Sequence, residues 1–307
     1  MKHGLRVRLF AVVGVVAAAL SAAGCSTAGG GVASGSRLPV VAAENFWGSL
    51  AAQLGGSHVS VHSIIDNPSA DPHDYEPTAA DARLIASAKL TIANGVGYDS
   101  WASKLAAANP DSGRTDLTVG DVVGVKTGGN PHRWYSPPNV RTVIDRITAA
   151  YQKLDPKHSD YYATRRTTVL TTNLKEYFDL VAQIKAEYAG TPVGASESIF
   201  APLAEATGLD LITPESFLDA ISEGTDPTAA DKTTVDRQIT GREIKVYVYN
   251  SQNATPDVQA QVKAAKARGI PVATVTETLT PAGASFQQWQ VGQLKRLTAA
   301  LAKGARS

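Results

Sequence analysis

The chain has 307 residues, 43% of them hydrophobic, and carries 29 Lys and Arg against 28 Asp and Glu. That length allows one large domain or two ordinary ones, the apolar fraction supports a packed core, and a net charge of +1 argues against nucleic acid as the main partner. One Cys, and a Met confined to position 1, exclude an internal disulfide, a Cys-rich zinc or iron–sulfur site and a thioether copper site, so any metal chemistry rests on His nitrogen and carboxylate oxygen.

The first segment reads as an address. Lys2, Arg6 and Arg8 precede a 12-residue apolar stretch, 9–20, which suits a secretory leader and is too short to span a bilayer. Ser21-Ala22-Ala23-Gly24-Cys25 resembles a bacterial lipobox, with Ala22 where a large aliphatic residue is usual. The resemblance implies that 1–24 is a lipoprotein signal peptide and that Cys25 becomes the lipid-modified first residue. Loss of the leader leaves 283 residues with 26 basic against 28 acidic side chains, a net charge of −2. Residues 25–37 are rich in small side chains and read as a flexible tether. No later segment reaches 18 apolar residues, so the chain is expected to be held at the extracytoplasmic face of the cell membrane by its lipid alone.

The body begins with β-type runs at 38–43, 59–65 and 89–93, separated by helical patterns at 46–54 and 78–87. Such alternation predicts parallel βαβ units. The spacing then predicts one long helix. Residues 159–188 contain no Gly or Pro, and Leu170, Leu174, Tyr177, Val181, Ile184 and Tyr188 mark a single apolar face. About 30 residues at 1.5 Å each span roughly 45 Å, enough to run beside two lobes and join them stiffly. A second β series follows at 192–196, 245–250 and 270–275, with helices at 255–268, closed by Gly269, and 286–302. The fold class is therefore α/β, with an N-terminal lobe at 38–158, a linker helix at 159–189 and a C-terminal lobe at 190–307.

Phosphate-loop, nucleophile-elbow and His-Glu-x-x-His signatures are absent. Gly95-Val96-Gly97-Tyr98-Asp99-Ser100 starts like a dinucleotide fingerprint, but Ser100 replaces the third Gly, and a structural turn is the better reading. Of the histidines, His58, His62 and His158 read as edge or surface residues. His73, in Asp71-Pro72-His73-Asp74-Tyr75-Glu76-Pro77, and His132, in Asn130-Pro131-His132-Arg133-Trp134, each follow a Pro in a loop. Proline restricts the backbone there, so the imidazole is presented with little freedom left to lose.

The segments 71–78, 94–101 (Asn-Gly-Val-Gly-Tyr-Asp-Ser-Trp) and 130–134 together resemble the metal-specific solute-binding proteins of bacterial ABC importers, the zinc and manganese receptor group, from about Val40 to Ala302. The resemblance implies a metal site in the cleft between two lobes. It makes His73 and His132 ligands, places Glu197 of Ser196-Glu197-Ser198 as a third, and puts Glu277 of Thr276-Glu277-Thr278 where the family usually has Asp. It also implies a monomer that captures one Zn2+ or Mn2+ and delivers it to a permease and its ATPase, with no enzymatic role. Two neutral imidazoles and two carboxylates nearly neutralise a divalent ion, and four protein donors suit capture rather than catalysis. Two carboxylates lean toward manganese, while the Irving–Williams order favours zinc. Asp71, Asp74, Glu76 and Asn130 are candidate partners for fixing a histidine tautomer. An adhesion lipoprotein with a structural metal, and a metallohydrolase with Glu76 as base, are the competing readings.

Overall fold

The computed structural model describes residues 37–68, 75–253 and 255–306. The leader, Cys25, the tether up to residue 36 and the segment bearing His73 lie outside the described residues.

The first lobe carries a parallel sheet of four strands in the order β2-β1-β3-β4: β1 Leu38–Glu44, β2 Val59–Ile65, β3 Leu90–Ala93 and β4 Thr115–Thr118. Between them run α1 Asn45–Gly55, α2 Ala79–Ser87 and α3 Ser100–Ala108, and α4 Val119–Val123 follows β4. β1 is buried almost throughout, as expected of a parallel strand covered on both faces. α1 lies so close to β2 that a Cβ on Gly48 would fall 2.0 Å from the Ser63 hydroxyl, so only glycine allows this approach. Thr78 caps α2 in a capping box with Asp81.

After α5 Pro137–Leu154 comes a helical run in two parts, α6 Ser159–Thr168 and α7 Lys175–Tyr188, joined by a wide π turn at Val169–Asn173. The turn is closed by the Leu174 amide donating to the Val169 carbonyl at 2.9 Å, five residues back. It rotates the helix face, so Val169 is fully buried while Leu170 is only half-buried, which the simple heptad-like stepping does not anticipate. Hydroxyls of Thr164, Thr167, Thr168 and Thr171 donate to carbonyls four residues back along this stretch, a pattern that bends helices.

The second lobe repeats the topology with the order β6-β5-β7-β8: β5 Pro192–Ala195, β6 Asp210–Leu211, β7 Val246–Asn250 and β8 Val272–Val275, all parallel. Its helices are α8 Ala201–Thr207, α9 Glu215–Ser222, α10 Ala229–Thr240, α11 Pro256–Ala267 and α12 Phe286–Gly304. Gly269, at φ +73, follows α11 in the left-handed conformation that ends helices.

One hydrophobic cluster runs continuously through both lobes. Phe46 stacks on Trp134 with centroids 4.0 Å apart, Trp134 meets Tyr98 and Tyr135, and Tyr135 meets Trp289 of α12. Full burial of a side chain such as Phe46 contributes roughly 1.5–3 kcal/mol. Polar ties reinforce the junction. Phe286 donates its amide to the Ser49 hydroxyl, Gln53 exchanges hydrogen bonds with Gln287, and Asn45 accepts from the Leu279 amide. Among the described residues, no helix is long and apolar enough to cross a membrane.

Candidate metal centre

In each sheet the strand order reverses beside the first strand of the lobe, β1 or β5. Open parallel sheets bind ligands in the crevice at the carboxyl ends of such strands. In the second lobe three chain segments end there. Ser196 and Glu197 follow β5, Asn250 closes β7, and Thr276 and Glu277 follow β8. From the first lobe the loop before α5 brings His132 across the crevice. Among the described residues, His132, Glu197 and Glu277 form one buried group whose donor atoms all lie within 4.8 Å of one another.

His132 is completely buried. Its amide donates to Asn130 Oδ1 at 2.9 Å, and its Nδ1 lies 3.0 Å from the same oxygen. Asn130 Nδ2 donates to the Ser198 carbonyl at 2.7 Å, which fixes which end of the amide is oxygen. Nδ1 therefore carries the proton, and Nε2 presents a lone pair. Nε2 is buried, has no hydrogen-bond partner and stands 3.6 Å from Glu277 Oε1. The contact is not an ion pair, because burial drives the imidazole down to about 4, with Glu197 opposing and Arg133 assisting.

The carboxylates are held from behind. Asn250 Nδ2 donates to Glu197 Oε1 at 2.7 Å and to Glu277 Oε1 at 2.9 Å. Asn253 donates to Glu197 Oε2 at 2.8 Å, and the Tyr98 hydroxyl donates to Glu277 Oε2 at 2.9 Å. Asn250 is oriented in turn by the Gln252 amide on its Oδ1, and its own amide donates to the Ser196 hydroxyl. Burial, then repulsion from Glu277, raise the Glu197 carboxyl well above its ordinary range. Two acids and an imidazole nitrogen with a bare lone pair, buried together, form a donor set that suits a divalent ion.

A cavity of about 380 Å³ lies between the lobes, bordered by Tyr98, Asn130, Pro131 and Ser198, which neighbour or contact this group, and by Glu215, Asp219 and Glu223 at its acidic side. Gly95, Val96 and Gly97 all have positive φ in the turn beside it, so the Gly-rich segment is the structural turn expected rather than a dinucleotide loop.

Of the residues singled out from sequence, His132, Glu197 and Glu277 come together, and Asn130 fixes the His132 tautomer. Glu76 is exposed. His73, Asp71 and Asp74 lie outside the described residues. Sequence reasoning missed Asn250, Asn253, Gln252 and the Tyr98 hydroxyl. A polar residue closing the otherwise apolar β7 was the available signal for Asn250. His58 and His158 are not isolated surface residues, because their rings stack on each other.

Two parallel lobes sharing one core, with buried donors meeting at their crevice, define a two-lobed solute-binding protein. The chain belongs to the family described as ZnuA, zinc-uptake complex component A periplasmic, whose model matches residues 40–300. This family serves metal uptake by solute binding and is not enzymatic. The chain is 27% identical over 176 residues to the manganese ABC transporter substrate-binding lipoprotein PsaA of Streptococcus mitis, covering 53% of this chain and 54% of that protein. It thus spans about half the length of that relative. To the manganese-binding lipoprotein MntA of Bacillus subtilis it is 23% identical over 291 residues, covering 88% of this chain and 87% of the relative. The fold matches the periplasmic zinc binding protein TroA of Treponema pallidum with a TM-score of 0.69 at 18% identity, over 86% of this chain and 99% of that one. A manganese-bound periplasmic metal binding protein of Candidatus Liberibacter asiaticus matches with a TM-score of 0.71 at 20% identity, over 85% and 98%.

Proposed function

We propose that this protein is an extracytoplasmic receptor that captures one divalent transition metal, Zn2+ or Mn2+, and delivers it to an ABC permease and its ATPase. The observation that carries this reading is the bare Nε2 of His132, buried and facing Glu197 and Glu277. His73 is the fourth donor in this account. Earlier in the chain, the Pro68 carbonyl accepts from Gln252, whose own Oε1 accepts from the amides of Glu277 and Thr278. Names of relatives that include manganese and zinc support the metal class, and "lipoprotein" in several supports an anchor at Cys25 after removal of 1–24. We take 38–158 and 190–307 as the lobes and 159–189 as their connector, and the protein as a monomer.

A donor set of two imidazoles and two carboxylates brings a charge of −2 to the ion, so the loaded site is nearly neutral and tolerates burial. With no position reserved for water, it holds an ion rather than activating one. Nothing in the site or in the relatives' names favours the adhesion reading.

Calorimetric titration of the chelator-stripped protein with Zn2+ and with Mn2+ tests this. One tight equivalent of either ion is expected, and His73→Ala weakens it by at least ~100-fold, beyond the loss typical of a residue that merely orients a ligand. Absence of binding by both ions would overturn the proposal, and unchanged affinity in His73→Ala would remove that residue from it.

A further inference from the structure

Among the described residues a second set of donors gathers away from the crevice. His58 ends the short 3-10 turn after α1, just before β2 begins. Asp155 and His158 bracket the turn between α5 and α6. This is the amino edge of the first sheet. β2 runs seven residues from there to the carboxyl edge, roughly 23 Å at strand rise. One donor atom from each of His58, Asp155 and His158 lies within 4.8 Å of the other two.

The surroundings hold these side chains in place. The imidazoles of His58 and His158 stack with centroids 3.8 Å apart and planes 25° from parallel. His158 Nδ1 lies 2.7 Å from Asp155 Oδ2, and the Tyr162 hydroxyl donates to that same oxygen at 2.9 Å. Tyr161 stands edge-on against His58 with centroids 4.5 Å apart, and its hydroxyl accepts from the Ser57 amide at 3.3 Å. Gly56, at φ +53, lets the turn close on that hydroxyl, since a Cβ there would fall 2.0 Å from it.

An ion pair between His158 and Asp155 accounts for two of the three residues and leaves His58 unexplained. Face-stacked rings aim their in-plane lone pairs side by side, so they serve one cation only once the His58 ring turns off the stack; two neutral imidazoles then offer, with the carboxylate alongside, nitrogen and oxygen donors to it. We propose that His58, His158 and Asp155 form a second binding site for a divalent transition metal of the zinc type, on the outer side of the first lobe. Imidazole and carboxylate donors suit Zn2+ and its late first-row neighbours and are poor for Ca2+ or Mg2+. The side chains of His158 and Asp155 are 32% and 14% exposed, so an ion here keeps water in its remaining positions and exchanges faster than one in the closed crevice. Occupancy joins the end of α5 and the start of α6 to the turn before β2, which stiffens the base of the connector without touching the crevice donors.

The test is a Zn2+ titration of the full, chelator-stripped chain by calorimetry, followed into the millimolar range. Two equivalents are expected, one tight and one weaker. His58→Phe keeps the ring stack and removes the donor. It should weaken the second equivalent at least tenfold and leave the first unchanged, and so should His158→Gln. His132→Ala should do the reverse, so failure of the crevice reading and failure of this one give different patterns. A single equivalent in the wild-type protein would overturn the proposal without recourse to any variant. So would a second equivalent that survives unaltered in both His58→Phe and His158→Gln.

Discussion

The carboxyl edges of the two sheets occupy equivalent places in the same topology, and both bury a pair of acids. In the first lobe the pair is Glu44, the last residue of β1, and Asp99, in the turn after β3. Asp99 is turned inward onto its own loop, accepting from the Asn94 amide at 2.6 Å and the Gly95 amide at 2.7 Å. Burial, then the charge of Asp99, push the Glu44 carboxyl well above its usual range. In the second lobe, Glu197 and Glu277 share one amide, Asn250, behind them and face the bare Nε2 of His132 in front. Burying two acids together thus has two solutions. In one pair Asp99 is tied down by the amides of its own loop. The other pair faces a nitrogen donor across the crevice.

The largest expected effect separates the two pairs directly. His132→Ala and Glu197→Gln should each weaken metal binding at least ~100-fold, since loss of a donor exceeds loss of a supporting residue. Glu44→Gln, which keeps the side chain's shape and removes its charge, should leave affinity within about threefold and stability within ~1 kcal/mol, because Glu44 is not one of the donors and its raised carboxyl already disfavours the charge. Equal losses in Glu44→Gln and Glu197→Gln would break the distinction.

Next comes the amide that organises the open pair. Asn250→Ala should cost about 10–100-fold in affinity by releasing both carboxylates, and Asn130→Ala a similar factor by freeing the His132 tautomer. Titration calorimetry on the folded variants reads both.

The raised carboxyl of Glu197 predicts proton release. In the metal-free protein it holds its proton at neutral pH, so ion uptake must expel it, and the apparent binding enthalpy should vary with the ionisation enthalpy of the buffer. The stability that Glu197 contributes to the metal-free fold is fully present below its ordinary value of 4.5 and is lost as pH rises through the raised one. Thermal melts of the stripped protein should therefore fall toward alkaline pH, while the loaded protein resists. Buffer-independent enthalpy would contradict the protonated pair.

The smallest effect concerns the junction between lobes. The Tyr135 hydroxyl shares its one proton between the Thr276 carbonyl at 2.9 Å and Gln293 Oε1 at 2.8 Å, next to the site. Tyr135→Phe should cost ~1–2 kcal/mol in chemical denaturation with affinity nearly unchanged. A large loss of affinity instead would mean that the junction positions Glu277.

Much of this was legible in the sequence, for reasons that differ between elements. β1, β2 and β3 announce themselves as apolar runs between turns, and α7 by the apolar face that Tyr177, Val181 and Ile184 share. β4 is only Thr-Asp-Leu-Thr and β6 only Asp-Leu, too short and polar to carry a pattern, and they exist because a buried neighbour strand, β3 or β5, pairs with them. The π turn at Val169–Asn173 left no Gly or Pro to mark it. Among site residues, His132 and Asn130 stand two positions apart in one motif, so their partnership is local. Tyr98 reaches Glu277 across 179 positions, and Asn250 reaches Glu197 across 53. Contacts of that range come from topology, and no local spacing encodes them.

The central claim is that the open acid pair and His132 hold the captured ion. Anomalous diffraction from crystals of the protein loaded with Zn2+ or Mn2+ tests it most directly. The account predicts a peak in the crevice at about 2.0–2.2 Å, for zinc, from His132 Nε2 and from carboxylate oxygens of Glu197 and Glu277. A loaded crystal with these three side chains unliganded, and the ion elsewhere, would contradict it.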